Sequence, residues 1–177
     1  TSCVGKLMER VLNRRLMYWL ESNGKISEHQ AGFRAGRSVE DQLTRLSQNI
    51  SDGFHRRQRS VLALLDYAKA YDKVWRDGLL LKMVTMGVPC LLVRWVQIWL
   101  NNRLAWVEYD GVRGRTKTFE QGLPQGAVLL PTLFLIYIND VVDHIPDGVN
   151  VSLFADDIAI WAICPTKDQA ARKVQEA

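Results

Sequence analysis

Two adjacent aspartates, Asp156 and Asp157, lie between the apolar runs Val151–Ala155 and Ile158–Ile163. Short runs of this kind, separated by two polar residues, have the form of two strands joined by a tight hairpin turn. A third apolar run, Val61–Leu65, stops directly at Asp66 and reads as a buried strand. Asp66 and Asp156 are ninety positions apart. Their carboxylates can meet only if the strands that carry them are neighbours in one sheet. The constraint is therefore that the strand ending at Asp66 neighbours the hairpin that carries Asp156 and Asp157.

The rest of the chain mixes helices and short strands without regular alternation. Val4, Leu7, Met8, Val11, Leu12, Leu16, Trp19 and Leu20 recur at helical spacing, and Asn23-Gly24 supplies the stop. Residues 25–37 form a loop that contains GFRAGRS. Ser38-Val-Glu-Asp41 has the form of a capping box, with Val39, Leu43, Leu46 and Ile50 continuing an amphipathic helix. A helix over Asp77–Gly87 breaks at Val88-Pro89, and a Trp-rich helix follows over Leu91–Leu100. Asp110-Gly111 predicts a type I′ turn joining Leu104–Tyr109 to Val112–Phe119. A turn at Leu123–Gly126 leads into an apolar helix ending near Asn139-Asp140, and Thr166 caps a last helix. With no repeat and no linker, this pattern predicts an α+β fold rather than a doubly wound sheet.

At 177 residues and 47% hydrophobic, the chain can bury a core of one domain. Its net charge of +4 is modest, but Lys and Arg are concentrated in the first sixty residues. A basic first third beside a near-neutral remainder suits a nucleic-acid-facing surface next to an acidic metal centre. Solvated helix faces account for the same asymmetry. Cys3, Cys90 and Cys164 are scattered, which argues against a disulfide framework or a zinc site. No apolar run reaches membrane-spanning length.

Three segments carry candidate chemistry, and each has a plain structural alternative. Asp66 in LLDYAKAYD is placed at a strand end to enter a cleft where Mg²⁺ prefers hard oxygen ligands; alternatively it caps the next helix. Asp156 and Asp157 repel one another at a hairpin tip, which a divalent cation would relieve; alternatively they form an exposed acidic turn. In GLPQGAVLLPTLF, Gly122, Pro124 and Gly126 impose a tight turn that lets backbone and Gln125 approach a substrate; alternatively this is an ordinary helix entry. Pro131 is compatible with that helix only in its first turn. Together, in this order, the three segments supply what two-metal phosphoryl transfer needs.

At these residues the sequence resembles the reverse transcriptase domain of non-LTR, LINE- or jockey-like retrotransposons. The resemblance covers nearly the whole chain, in motif order: GKLMERVLNRRL, QAGFRAGRSVEDQL (residues 30–43), LLDYAKAYDKV, GLPQGAVLLPTLFLIYIND and LFADDIAI. It implies a right-hand polymerase palm, an antiparallel sheet backed by helices, with partial fingers. Fingers-side helices are expected over about residues 1–60 and palm with remaining fingers elements over about 61–177. The family's RPISL strand, its next palm motif and the thumb are expected outside this segment.

The resemblance implies Asp66 and Asp156 as principal metal ligands, Asp157 as a less direct partner, and two Mg²⁺ ions for which Mn²⁺ can substitute. It implies Tyr71 as the aromatic that closes the sugar pocket, Gln125 and Gly126 at the incoming nucleotide, and Arg34 and Arg37 near template or triphosphate. RNA template, DNA primer or target DNA, and dNTPs are the expected partners. The expected setting is intracellular, in the nucleus or cytoplasm. Ala127, Leu130 and Leu135 depart from the family, which often has Ser, Ser and Asn there. These departures keep a second expectation open, a non-catalytic nucleic-acid-binding remnant. An RNA-dependent RNA polymerase palm is the third, and Tyr71 and FADD point away from it.

Overall fold

The computed structural model describes residues 3–101 and 103–177. Its elements are α1 (Cys3–Ser22), α2 (Val39–His55), β1 (Arg59–Leu65), α3 (Arg76–Thr85) and α4 (Cys90–Leu100). Four short strands follow, β2 (Leu104–Ala105), β3 (Glu108–Tyr109), β4 (Val112–Arg113) and β5 (Lys117–Thr118). Then come α5 (Leu130–Ile138), β6 (Val149–Phe154), β7 (Asp157–Cys164) and α6 (Lys167–Glu176). Single stretches of 3-10 helix occupy Tyr71–Lys73 and Asn139–His144. Among the described residues, no helix is long and apolar enough to cross a membrane.

The chain gathers into two compact units, each made of two stretches. One joins the residues up to Lys25 with Lys69–Tyr137; the other joins Ile26–Ala68 with Ile138–Ala177.

The second unit is built on a three-stranded antiparallel sheet of order β1-β7-β6. One face is covered by α6, where Ala170 and Val174 pack with Val61, Val149, Ala162 and Cys164. Over the other face lies α2, with Gly53 against Ile163, Arg45 over the Trp161 ring and Gln42 bonded to Ser152. On β1 these helices reach Val61 and Ser60, at the end away from Asp66. The outer strand β1 is left partly bare, so Val61–Leu65 forms a strand as expected but not a buried one: Leu64 is 74% exposed.

Local chemistry explains most element boundaries. Ser38 accepts from the Asp41 N–H while Asp41 accepts from the Ser38 N–H, a complete capping box. Thr166 caps α6 by accepting from Gln169. Asp110 and Gly111 both have positive φ, as a type I′ turn requires, and close the β3-β4 pair inside the β2-β5 pair. Pro131 is the second residue of α5, where its missing N–H costs no helical bond.

The first unit corrects one expectation about α1. Val4, Leu7, Met8 and Val11 are exposed, and the helix buries Leu16 and Leu20 together with Glu9. Glu9 is matched by donors, accepting from Trp99 Nε1 (3.2 Å) and from the Val128 N–H (2.8 Å). A buried carboxylate supplied with donors can stand at a core position that apolar periodicity alone assigns to its neighbours.

Arg76, only 9% exposed, is the polar hub of this unit. From the first turn of α3 it donates to the carbonyls of Leu100 (2.9 Å), Phe119 (2.5 Å), Gln121 (3.1 Å) and Gly122 (2.9 Å). Burial, and then the nearby Arg103, lower its pKa, yet a guanidinium remains charged at any working pH. Arg76→Met keeps the aliphatic stem but leaves four carbonyls without this donor. We expect the variant to lose on the order of 3 kcal/mol in a urea unfolding titration; a loss within about 0.5 kcal/mol is what a surface substitution gives and is not expected here.

Candidate active site

The register of β1 and β7 brings the acidic residues to one end of the sheet. Leu65 pairs with Ile158, so Asp66 and Asp157 follow at the next position of the two strands. Phe154 pairs with Asp157, which leaves Ala155 and Asp156 as the connecting turn of β6 and β7. Asp66 and Asp157 are exposed and Asp156 is half-buried. Asp66 caps no helix: the next α-helix is α3, and its N-cap is Trp75.

The donor set suits a hard cation, since every candidate ligand is a carboxylate. Among the described residues, no group of three or more His, Cys, Asp or Glu side chains is gathered closely enough to hold a metal ion. Backbone pairing places Asp66, Asp156 and Asp157 at one sheet end without drawing their side chains into a ready cage. Mg²⁺ is commonly held by one or two carboxylates completed by waters and substrate phosphates, and this arrangement fits that habit.

The acidic turn is gripped from residues 29–32. His29 accepts from the Leu153 N–H, Ala31 donates to the Leu153 carbonyl, and Gln30 thus pairs parallel to Leu153. Gln30 Oε1 accepts from Ala155 N (2.9 Å) and Gly32 N (2.8 Å), and Nε2 donates to Ala155 O (3.2 Å). A Cβ on Gly32 would stand 2.2 Å from Ala155 N, so only glycine allows this approach. Sequence patterning did not reveal Gln30 as a functional residue; the available signal was a lone amide beside a glycine in QAGFR.

Arg34 and Arg37, which the resemblance sets near template or triphosphate, differ in placement. Arg34 Nη1 donates to the carbonyls of Ser27 (2.7 Å) and Gln30 (3.0 Å), which staples its own loop. Arg37 is exposed.

Tyr71, Gln125 and Gly126 are brought together in the other unit. The Tyr71 carbonyl accepts from Leu123 N (2.8 Å), the Val74 carbonyl from Gly122 N (2.8 Å), and Asp72 from Gln125 Nε2 (3.1 Å). Gly122 has φ +78°, and a Cβ there would lie 2.5 Å from the Asp72 carbonyl oxygen. The GLPQG segment is thus laid directly against the YDKV turn. The Tyr71 ring tilts at 57° on Phe134 with centroids 4.6 Å apart. Gln125 and Gly126 are exposed.

His29 is the group of this region whose protonation is visibly biased. Burial lowers its pKa most and Arg45 next, whose Nη1 lies 2.8 Å from Nδ1; Glu28 and a backbone bond to Val151 oppose them weakly. The unfolded chain therefore takes up the proton first as pH falls, and the folded state loses stability below the ordinary value of 6.5. Urea midpoints measured from about pH 8 to about pH 5 should decline below pH ~6.5 until the folded His29 also protonates. His29→Gln should flatten that part of the curve, and an unchanged decline would assign it to other groups.

The sequence model of the family described as "Reverse transcriptase (RNA-dependent DNA polymerase)" matches residues 1–177. The chain is 32% identical over 163 residues to the RNA-directed DNA polymerase from mobile element jockey of Drosophila melanogaster, covering 89% of this chain and 18% of that protein. Its identity to the jockey protein of Drosophila funebris is also 32%, covering 98% of this chain and 19% of the relative. The probable RNA-directed DNA polymerase from transposon BS of Drosophila melanogaster is 30% identical, covering 99% and 20%. The chain thus spans about a fifth of the length of these curated relatives. In three dimensions it is similar to the solved structure of apo telomerase from Candida tropicalis, with a TM-score of 0.67 at 14% identity, covering 97% of this chain and 36% of that one. That likeness shows a shared fold, an α+β arrangement with antiparallel sheets consistent with a polymerase palm.

Proposed function

Because the chain belongs to the reverse transcriptase (RNA-dependent DNA polymerase) family, we propose that it copies RNA into DNA for a non-LTR retrotransposon, adding dNTPs to a primer 3′-hydroxyl. The carrying observation is the β1-β7 register, which sets Asp66 one step beyond the Leu65–Ile158 pair and beside the Asp156-Asp157 turn.

Family membership implies a divalent metal and nucleic acid in general terms. The finer reading assigns RNA as template, DNA as primer or target, and Mg²⁺ as the metal, with the work done inside the cell, in the nucleus or cytoplasm. Asp66 and Asp156 are the principal ligands in this reading and Asp157 the less direct one. Two bound Mg²⁺ ions, or Mn²⁺ in their place, supply activation of the attacking hydroxyl and stabilisation of the leaving oxygen. The exposed Asp66 and Asp157 keep the acidic end accessible to a charged substrate.

Tyr71 selects the sugar. Its half-buried ring packs on Phe134, which supports a wall against a ribose 2′-hydroxyl. Gln125, bonded to Asp72 at the exposed turn, lines the incoming nucleotide together with Gly126. Arg37 is the exposed fingers arginine suited to phosphate; Arg34 acts first on its own loop. Leu135, where the family often has Asn, is fully buried within α5 and packs as a core residue there.

Primer extension by the full-length protein on an RNA template, with Mg²⁺ and dNTPs, tests the reading. Asp156→Ala should lower extension by at least about a thousandfold while the protein stays folded, because it removes a ligand and also relieves repulsion in a crowded acidic turn. An Asp156→Ala protein that extends normally would remove Asp156 from the metal-binding role, and one that unfolds would make it a structural residue. Tyr71→Val should raise ribonucleotide incorporation relative to deoxynucleotide by about tenfold or more, since one clash at the 2′ position sets the discrimination. Unchanged sugar selectivity removes Tyr71 from that role.

A further inference from the structure

We propose that Gln30 is a positioning residue for Asp156: its buried side-chain amide clamps the backbone of Ala155 and so aims the aspartate that follows. This rests on the polymerase reading above, in which Asp156 is a metal ligand.

The geometry is specific. Gln30 is 1% exposed. Its oxygen accepts from Ala155 N and Gly32 N, and its nitrogen donates to Ala155 O, so both ends of one side chain are engaged. Ala155 has φ +57°, a left-handed conformation that costs a non-glycine residue about 1 kcal/mol or more unless the surroundings hold it. No strand ladder does so, because the β6-β7 pairing stops at Phe154 and Asp157. The Ala155 carbonyl and the Asp156 N–H share one rigid peptide plane, and the Ala155 N–H lies in the plane before it. Holding the N–H and the C=O of Ala155 therefore orients the planes on either side of its Cα. That leaves the Asp156 side chain a fixed starting direction.

Few other side chains fit. An ionised glutamate accepts but cannot donate to Ala155 O, and asparagine is one methylene shorter. Methionine matches the length but leaves Ala155 N, Gly32 N and Ala155 O without this partner. Segment 29–31 already pairs with Leu153 through two backbone bonds, so the anchor carrying Gln30 does not itself depend on the amide.

The test uses the full-length protein with Gln30→Met, with Gln30→Glu as the milder variant should the first fail to fold. Val149→Ala, at the opposite end of β6, serves as a comparison for simple destabilisation. Hydrogen exchange across residues 153–158 reads the clamp without any activity. In Gln30→Met it should speed up about 100-fold at Ala155 while β1 and β7 amides stay protected. Mn²⁺ should bind more weakly by about tenfold, as expected when a ligand's supporting contact is lost. In primer extension, kcat should fall about 10- to 100-fold with the dNTP KM within about threefold. Gln30→Glu should fall between the two.

Unchanged exchange at the turn overturns the proposal, as does a uniform rise across the sheet like that of Val149→Ala. Faster turn exchange with unaltered kcat and Mn²⁺ affinity overturns it as well. An unaltered protein that extends no primer sinks the polymerase reading, while exchange and Mn²⁺ binding still decide whether Gln30 holds Asp156.

Discussion

The pairing of β7 with β1 on one edge and β6 on the other is the contact on which the acidic end depends. Joining β6 to β7 is local, since a two-residue turn separates them. Joining β1 is not: about ninety residues of chain close between Leu65 and Ile158, and the loop-closure entropy must be offset by burial. The offset is on β7, where Ile158, Ile160, Trp161, Ala162 and Cys164 are all buried. A slip of one residue of β1 against β7 would turn Val61 away from the face it shares with Ala162, Cys164 and α6, so that packing fixes the register. The same register fixes where Asp66 stands relative to Asp157. Core packing thus specifies the geometry of residues that are themselves exposed.

That exposure has a chemical consequence. Three acidic residues at one sheet end repel one another, and water around Asp66 and Asp157 screens that repulsion. Gathering them into a tight cage in the absence of a cation would raise the cost. The described residues show no such cage; in the metal-binding reading proposed above, substrate phosphates and waters would complete the ligation.

Features governed by neighbours in sequence were legible from the sequence. The Ser38 capping box, the Asp110-Gly111 turn, the Pro131 helix entry and the FADD hairpin each depend on a few adjacent residues, and each forms. The exposure of Leu62 and Leu64 was not legible, because apolar content says that a run can be buried and not which of its faces a distant element covers. The first half of α1 misleads for the same reason: its apolar residues face outward while Glu9, supplied with two donors, goes in. Gln30 and Arg76 were invisible for a different reason. Their partners are backbone groups as far as 125 residues away, and no periodicity marks a polar side chain whose partner is a distant peptide.

These two hidden residues solve one problem with different chemistry. A tight turn cannot satisfy its backbone through a strand ladder, so a side chain from elsewhere must supply what is missing. Around Gly122 the groups to be matched are four carbonyls, all acceptors, and an arginine with five donors and no acceptor is the suitable partner. At Ala155 the turn presents both an N–H and a C=O, for which arginine is useless and a carboxylate half-suited. A primary amide carries both functions in one plane, and Gln30 uses both. The residue type at each position thus follows from the donor and acceptor inventory of the turn it holds. Those turns carry Gln125 in one unit and Asp156 in the other, so buried polar residues remote in sequence brace the segments to which the chemistry is assigned.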